Sequence, residues 1–199
     1  MNGAQSELST GPAGQGDGID DRATRPQKPK CCGIQSSSRE GIRIQLTMAK
    51  KQERRVGDVV RIGLDDSHHG YARVLPEASF AVYDYYGAED LSLAELTKLP
   101  ILFRVAVMDW AVKKGRWTSI GNAPLEPSLL ALPPKFIQDK VNKGKFSIYE
   151  NGQIRPASKE ECLGLESAAV WDPSHVEDRV RDHYAGRSNK WVESLKIKE

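Results

Sequence analysis

The sequence predicts an α+β domain, a small and strongly bent antiparallel sheet, partly barrel-like, followed by C-terminal helices. Three observations carry this reading. Alternating apolar patterns dominate residues 58–108, turn residues interrupt them at short spacing, and helix-capping signals gather beyond residue 158.

The folded part is expected to begin late in the chain. All aromatic residues (Trp 4, Tyr 6, Phe 4) lie at or beyond Tyr71, whereas residues 1–47 hold seven of the 17 glycines and runs such as Gly11-Pro12-Ala13-Gly14 and Ser36-Ser37-Ser38. Such a segment buries too little apolar surface to offset the entropy of ordering it. Residues 1–52 are therefore expected to be a disordered extension, and 53–199 a single domain of ordinary size. Met48, followed by Ala49-Lys50-Lys51-Gln52-Glu53 and the first strand pattern, is read as the natural start. A regulatory or tethering tail is the competing reading of the upstream residues.

The elements follow in order. Val60, Ile62 and Leu64 alternate with Val59, Arg61 and Gly63, which predicts a strand from Asp58 to Leu64. The loop Asp65 to Gly70 breaks the pattern, and Tyr71 to Leu75 resumes it as an antiparallel neighbour. Phe80-Ala81-Val82-Tyr83-Asp84-Tyr85 suits a pleated surface, so a third strand completes a meander. Ser92 with Glu95 forms a capping box, and Leu91 with Leu96 a hydrophobic staple around it, which starts a short helix. Ile101 to Met108 is apolar on both faces except at Arg104, as in a central strand covered on both sides.

Pro124, Pro127, Pro133 and Pro134 make residues 121–135 an irregular connection. Lys145–Glu150 and Gln153–Pro156 flank Asn151-Gly152, a pair that tolerates the positive φ of a type I′ hairpin turn. Capping boxes recur at Ser158 with Glu161 and at Ser174 with Glu177. The second opens an amphipathic helix over 174–185, with Val176, Val180 and Tyr184 on one face, Glu177 pairing with Arg181, and Gly186 as the stop. Trp191, Val192 and Leu195 suggest a last short helix near 189–197, and Trp171 reads as core.

Charge and composition exclude several function classes. Lys plus Arg number 29 and Asp plus Glu 27, a net charge of +2, too small an excess for a non-specific nucleic-acid binder. No apolar run approaches the roughly 20 residues that span a bilayer. Met1 to Gly18 is polar and Gly-rich, unlike a secretory leader, so a cytoplasmic location without a membrane or nucleic-acid partner is expected. Cys31, Cys32 and Cys162 form neither a disulfide framework nor a zinc spacing. Phosphate-loop, GxGxxG, HExxH and GxSxG patterns are absent, so neither a cofactor nor a catalytic residue is assigned.

Two constellations resemble chemistry without its full pattern. Cys162 with His175 or His183 would need folding to bring nucleophile and base together, and a buried, inert cysteine is the preferred reading. Asp65, Asp66, His68 and His69 offer metal ligands, but adjacent histidines diverge, so a solvated hairpin loop is preferred. A binding face is the better-supported idea. Tyr83 and Tyr85 share the side of their strand opposite Phe80 and Val82, and aromatic side chains are frequent interface anchors. Asp58, Asp65, Asp66, Asp84, Glu89 and Asp90 cluster around the same strands and would steer a basic partner. The expected partner-binding set is Asp65, Asp66, Tyr83, Asp84, Tyr85 and Trp117.

Several stretches taken in order resemble the immunity protein 26 family found beside polymorphic toxins in bacteria. They are Gly57-Asp58-Val59-Val60-Arg61-Ile62, Tyr71-Ala72-Arg73-Val74, Phe80 to Asp84, Gly115-Arg116-Trp117 with Ile120-Gly121, and Glu166 to Pro173 leading into His175-Val176-Glu177-Asp178-Arg179. The similarity spans residues 55–193. It implies a non-enzymatic protein that binds and neutralises a cognate toxin domain. The opening alone is also similar to barrel-fold endoribonuclease toxins, but the Arg-Pro expected after their second strand is missing and Arg155-Pro156 comes too late. A ribonuclease or a generic protein-binding adaptor is the alternative.

Overall fold

The computed structural model describes residues 52–199, so the expectation for the N-terminal extension lies outside the described residues except at Gln52. Gln52 is held in place: its side-chain amide donates to the Trp117 carbonyl and accepts from the Ser119 amide.

The strands β1 (Asp58–Gly63), β2 (His69–Val74) and β3 (Ser79–Tyr83) form the expected antiparallel meander, and β4 (Ile101–Val107) extends it by pairing antiparallel with β3. The helical turn α1 (Leu93–Leu96) sits between β3 and β4, with both bonds of the Ser92–Glu95 capping box formed. A second turn, α2 (Trp110–Lys113), leads to β5 (Trp117–Asn122), which returns to pair with β1. The irregular connection holds one further turn, α3 (Pro127–Leu130).

A second sheet follows. It consists of β6 (Lys135–Gln138), β7 (Phe146–Glu150), β8 (Gln153–Ala157) and β9 (Glu166–Ser167), in the order β8-β7-β6-β9. Asn151 and Gly152 have φ of +48° and +78°, so the β7–β8 connection is the two-residue turn that the sequence predicts. The chain then adds β10 (Val170–Trp171) to the edge of β4 and ends in the helices α4 (Pro173–Tyr184) and α5 (Lys190–Leu195).

The α+β class therefore holds, but the architecture differs from the predicted single bent sheet. There are two sheets, and the six-stranded one, ordered β10-β4-β3-β2-β1-β5, ends at β10 and β5 without closing into a barrel. The helix α4 takes the place of closure. Val176 and Val180 seal the face formed by Val60, Ile62, Val74, Phe80, Val82, Val105 and Trp117, and Trp171 joins the same core as expected.

The opposite face is covered too. Leu96 is buried with Val59, Tyr71 and Tyr83, and Leu91, Leu93 and Leu99 pack around them. On β4, Phe103, Val105 and Val107 are buried while Leu102, Arg104 and Ala106 are half-buried, so that strand is not covered on both sides. Its outer neighbour β10 has only two residues and shields little.

Helix starts show two further departures. The cap of α4 is Asp172, whose side chain accepts from the Ser174 amide, because Pro173 needs no donor partner in the first turn. Glu177 is thereby free of capping. It does not pair with Arg181, which binds Asp178 at 2.6 Å instead. The Ser158–Glu161 pair forms both reciprocal bonds, yet only a single 3-10 turn follows before Gly164 takes φ +80° and ends it.

Candidate partner-binding site

The β1–β2 loop, the segment after β3 and the end of α4 converge on one face. Asp65 organises the loop: Oδ1 accepts from the Ser67 amide at 2.9 Å and the His68 amide at 2.7 Å. Its other oxygen accepts from the Tyr86 hydroxyl. That hydroxyl contact, followed by the loop amides, holds the Asp65 carboxyl well below the usual carboxylate range. The same bond raises the Tyr86 phenol.

The rings stack in sequence. His68 lies on Tyr86 with centroids 4.6 Å apart, and Tyr86 lies on Tyr184 at 5.2 Å. The Tyr184 hydroxyl donates to Asp84 Oδ1 at 2.6 Å, across 100 residues of sequence. Partial burial, and then this bond to Asp84, raise the Tyr184 phenol. Tyr85 is half-buried and its hydroxyl donates to the Glu89 carbonyl at 2.6 Å. Every tyrosine hydroxyl of this face is thus tied to a carboxylate or carbonyl, which fixes the ring positions before any partner arrives.

A polar hub anchors the segment from beneath. His69 is buried, and its backbone pairs with Gly87 in both directions. Arg61 Nη2 lies 3.0 Å from His69 Nδ1, and since a guanidinium only donates, the imidazole proton sits on Nε2. Nε2 faces the Tyr71 hydroxyl at 2.8 Å and Asp90 Oδ1 at 3.2 Å. Burial, and then the Arg61 charge, lower the His69 pKa. The salt bridge from Arg61 Nε to Asp90, at 3.1 Å, closes the hub.

Carboxylates outnumber cations here. From Ile62 to Thr97 there are seven acidic residues, of which Glu77 lies away from this face, and a single basic one, Arg73; Arg61 and Arg181 also reach the face, paired with Asp90 and Asp178. Arg73 is 0% exposed and donates to the Ala123 and Pro124 carbonyls at 2.7 and 2.6 Å, so its charge does not reach the surface. Asp65 and Asp66 are exposed and Asp84 is half-buried at the rim.

Four of the six residues expected to bind a partner, Asp65, Asp66, Asp84 and Tyr85, lie in this region. Two are corrected in position. Tyr83 is 1% exposed beneath Leu96, because the face expected to stay open is covered by the 91–101 connection. Trp117 is 0% exposed, edge-on to Phe80 at 5.3 Å, and its indole donates to Glu177 at 3.0 Å. As the first residue of β5 it points into the core under α4.

The structure adds His68, Tyr86 and Tyr184. Tyr184 has the spacing of a core position, but the helix end carries it past the core and leaves it 42% exposed. The cysteine constellation is not assembled by these contacts. Cys162 packs on Phe136, Phe146 and Ile148, with its thiol pushed up by burial, while His175 stacks on Trp191 and His183 meets the edge of Tyr184. Arg155 lies on the exposed edge strand β8, paired with Glu161 at 2.8 Å.

Residues 55–147 match the family model described as Immunity protein 26. The resemblance read at Glu166 to Arg179 falls beyond the matched residues. No curated protein and no solved structure matches the chain.

Proposed function

From the match of residues 55–147 to the Immunity protein 26 family model, we propose that this chain is a cytoplasmic, non-enzymatic immunity protein. It binds and neutralises a cognate toxin domain of a bacterial polymorphic toxin system. The observation that carries the choice of surface is the acidic and aromatic face around Asp65, Asp66, Asp84, Tyr85, Tyr86 and Tyr184, whose rings are held by their own hydroxyl bonds.

A rigid aromatic surface loses little entropy on docking, and a surplus of carboxylates speeds encounter with a cationic partner. The role needs surface complementarity and no bond-making chemistry. The matched residues 55–147 contain all of these groups except Tyr184.

The test is to purify the chain together with the toxin encoded beside it and measure binding and toxin activity. A stoichiometric complex that abolishes the activity is expected. Tyr86→Ala is expected to weaken binding roughly 30-fold, the loss of one interface anchor. Asp66→Lys should slow association, and more so at low salt. Failure to bind or inhibit that toxin would overturn the immunity reading. Intact inhibition with unchanged affinity in both variants would instead remove this face from it.

A further inference from the structure

A second polar site, apart from the acidic face, lies where β6 meets the β2–β3 turn. Lys135 is 7% exposed, and its one side-chain hydrogen bond among the described residues runs from Nζ to the Ser79 hydroxyl at 3.4 Å. An ammonium carries three donors, and a buried one left short of acceptors is unfavourable. Glu77 and Glu166 are the carboxylates whose charges reach it, and both are engaged elsewhere. Glu77 accepts from the Tyr149 hydroxyl at 2.8 Å, and Glu166 from Arg179 at 2.5 Å. Burial lowers the Lys135 pKa, with the two carboxylates opposing it.

Lys135 lines a cavity of about 250 Å³ whose apolar wall includes Ala106, Ile137, Ala169 and Val170, with Tyr149 and Glu77 on its polar side. Glu77 and Ala78 hold φ of +52° and +55°, the pair of positive values that the two-residue turn between β2 and β3 requires, and this fixes Glu77 beside the cavity.

We propose that this cavity binds a small aliphatic carboxylate, with its oxygens on the Lys135 ammonium and its alkyl body against Ala106, Ile137 and Val170. The pocket is open on one side, where Val170 is 57% exposed, so a short branched acid such as isobutyrate can enter it. A single cation facing apolar walls and a neighbouring carboxylate favours one negative charge over the two of a phosphate. The Glu77 charge opposes the ligand, so it sets a ceiling on affinity rather than contributing to it.

Isobutyrate is the probe, added to the full chain carrying ¹³C at the lysine ε positions, with isobutyramide and sodium chloride as controls. One lysine resonance, identified by its loss in Lys135→Met, should shift saturably with isobutyrate and with neither control. Glu77→Gln keeps an acceptor for Tyr149 and removes the opposing charge, so it should tighten binding roughly fivefold, the size of a partly exposed charge interaction. The proposal is overturned if no resonance saturates, if the amide acts as well as the acid, or if Glu77→Gln weakens binding. Because Glu77→Gln retains the lysine, this arm decides the matter even if Lys135→Met does not fold.

Discussion

Glu177 ties α4 to the start of β5, and its removal gives the most exacting test of the structure. The carboxylate is 5% exposed and accepts from Arg116 Nε and Nη2 at 2.8 and 2.6 Å and from the Trp117 indole at 3.0 Å. In Glu177→Ala the indole N–H, fully buried, loses its acceptor, which costs about 1–3 kcal/mol. Arg116 has a side chain 41% exposed and regains water, so its share is about 1 kcal/mol or less. The sum is about 1–4 kcal/mol, a fall in Tm of about 3–15 °C for a domain of this size. Glu177→Gln keeps an oxygen for the indole and should lose only about 1 kcal/mol. Urea unfolding followed by tryptophan near-UV dichroism measures both variants. Equal losses in the two, or a loss under about 0.5 kcal/mol in Glu177→Ala, would refute the claim that the indole bond dominates.

Tyr83→Ala should lower stability by about 3–5 kcal/mol, as for other buried aromatics, so any loss of partner binding should track the unfolded fraction in the same urea titration. Tyr86→Ala should do the reverse, with a small change in stability and a clear change in affinity. His69 gives a pH signature. Its pKa is lowered from 6.5 on folding, so the unfolded chain binds more protons just below that value. Its contribution is fully present above pH 6.5 and is lost as the pH falls through the folded value. Stability measured between pH 7.5 and 5 should therefore decline, and His69→Gln should flatten that decline if the hub is as described.

Local rules account for the elements that were legible in the sequence. The β1–β3 alternation, the Ser92–Glu95 box and the Asn151-Gly152 turn each depend on residues within a few positions of one another. The acidic bias of residues 62–97 is also a property of the string itself, as is most of the resemblance that the family match supports. Exposure was less legible. Tyr83 and Tyr85 have the same alternation, yet Leu96 and its neighbours cover the first, while the second sits past the strand end, at the rim.

The sequence alone therefore determined the strand-first order, the positions of α1, α4 and α5, the acidic bias of residues 62–97 and the likeness to the family model that residues 55–147 match. Only tertiary structure decided that the sheet stays open, that Trp117 turns inward to Glu177, and that Tyr184 meets Asp84 across 100 residues. The physical reason is range. Propensity, capping and turn chemistry act through neighbouring backbone, whereas burial and side-chain pairing between distant segments depend on where the whole chain places them.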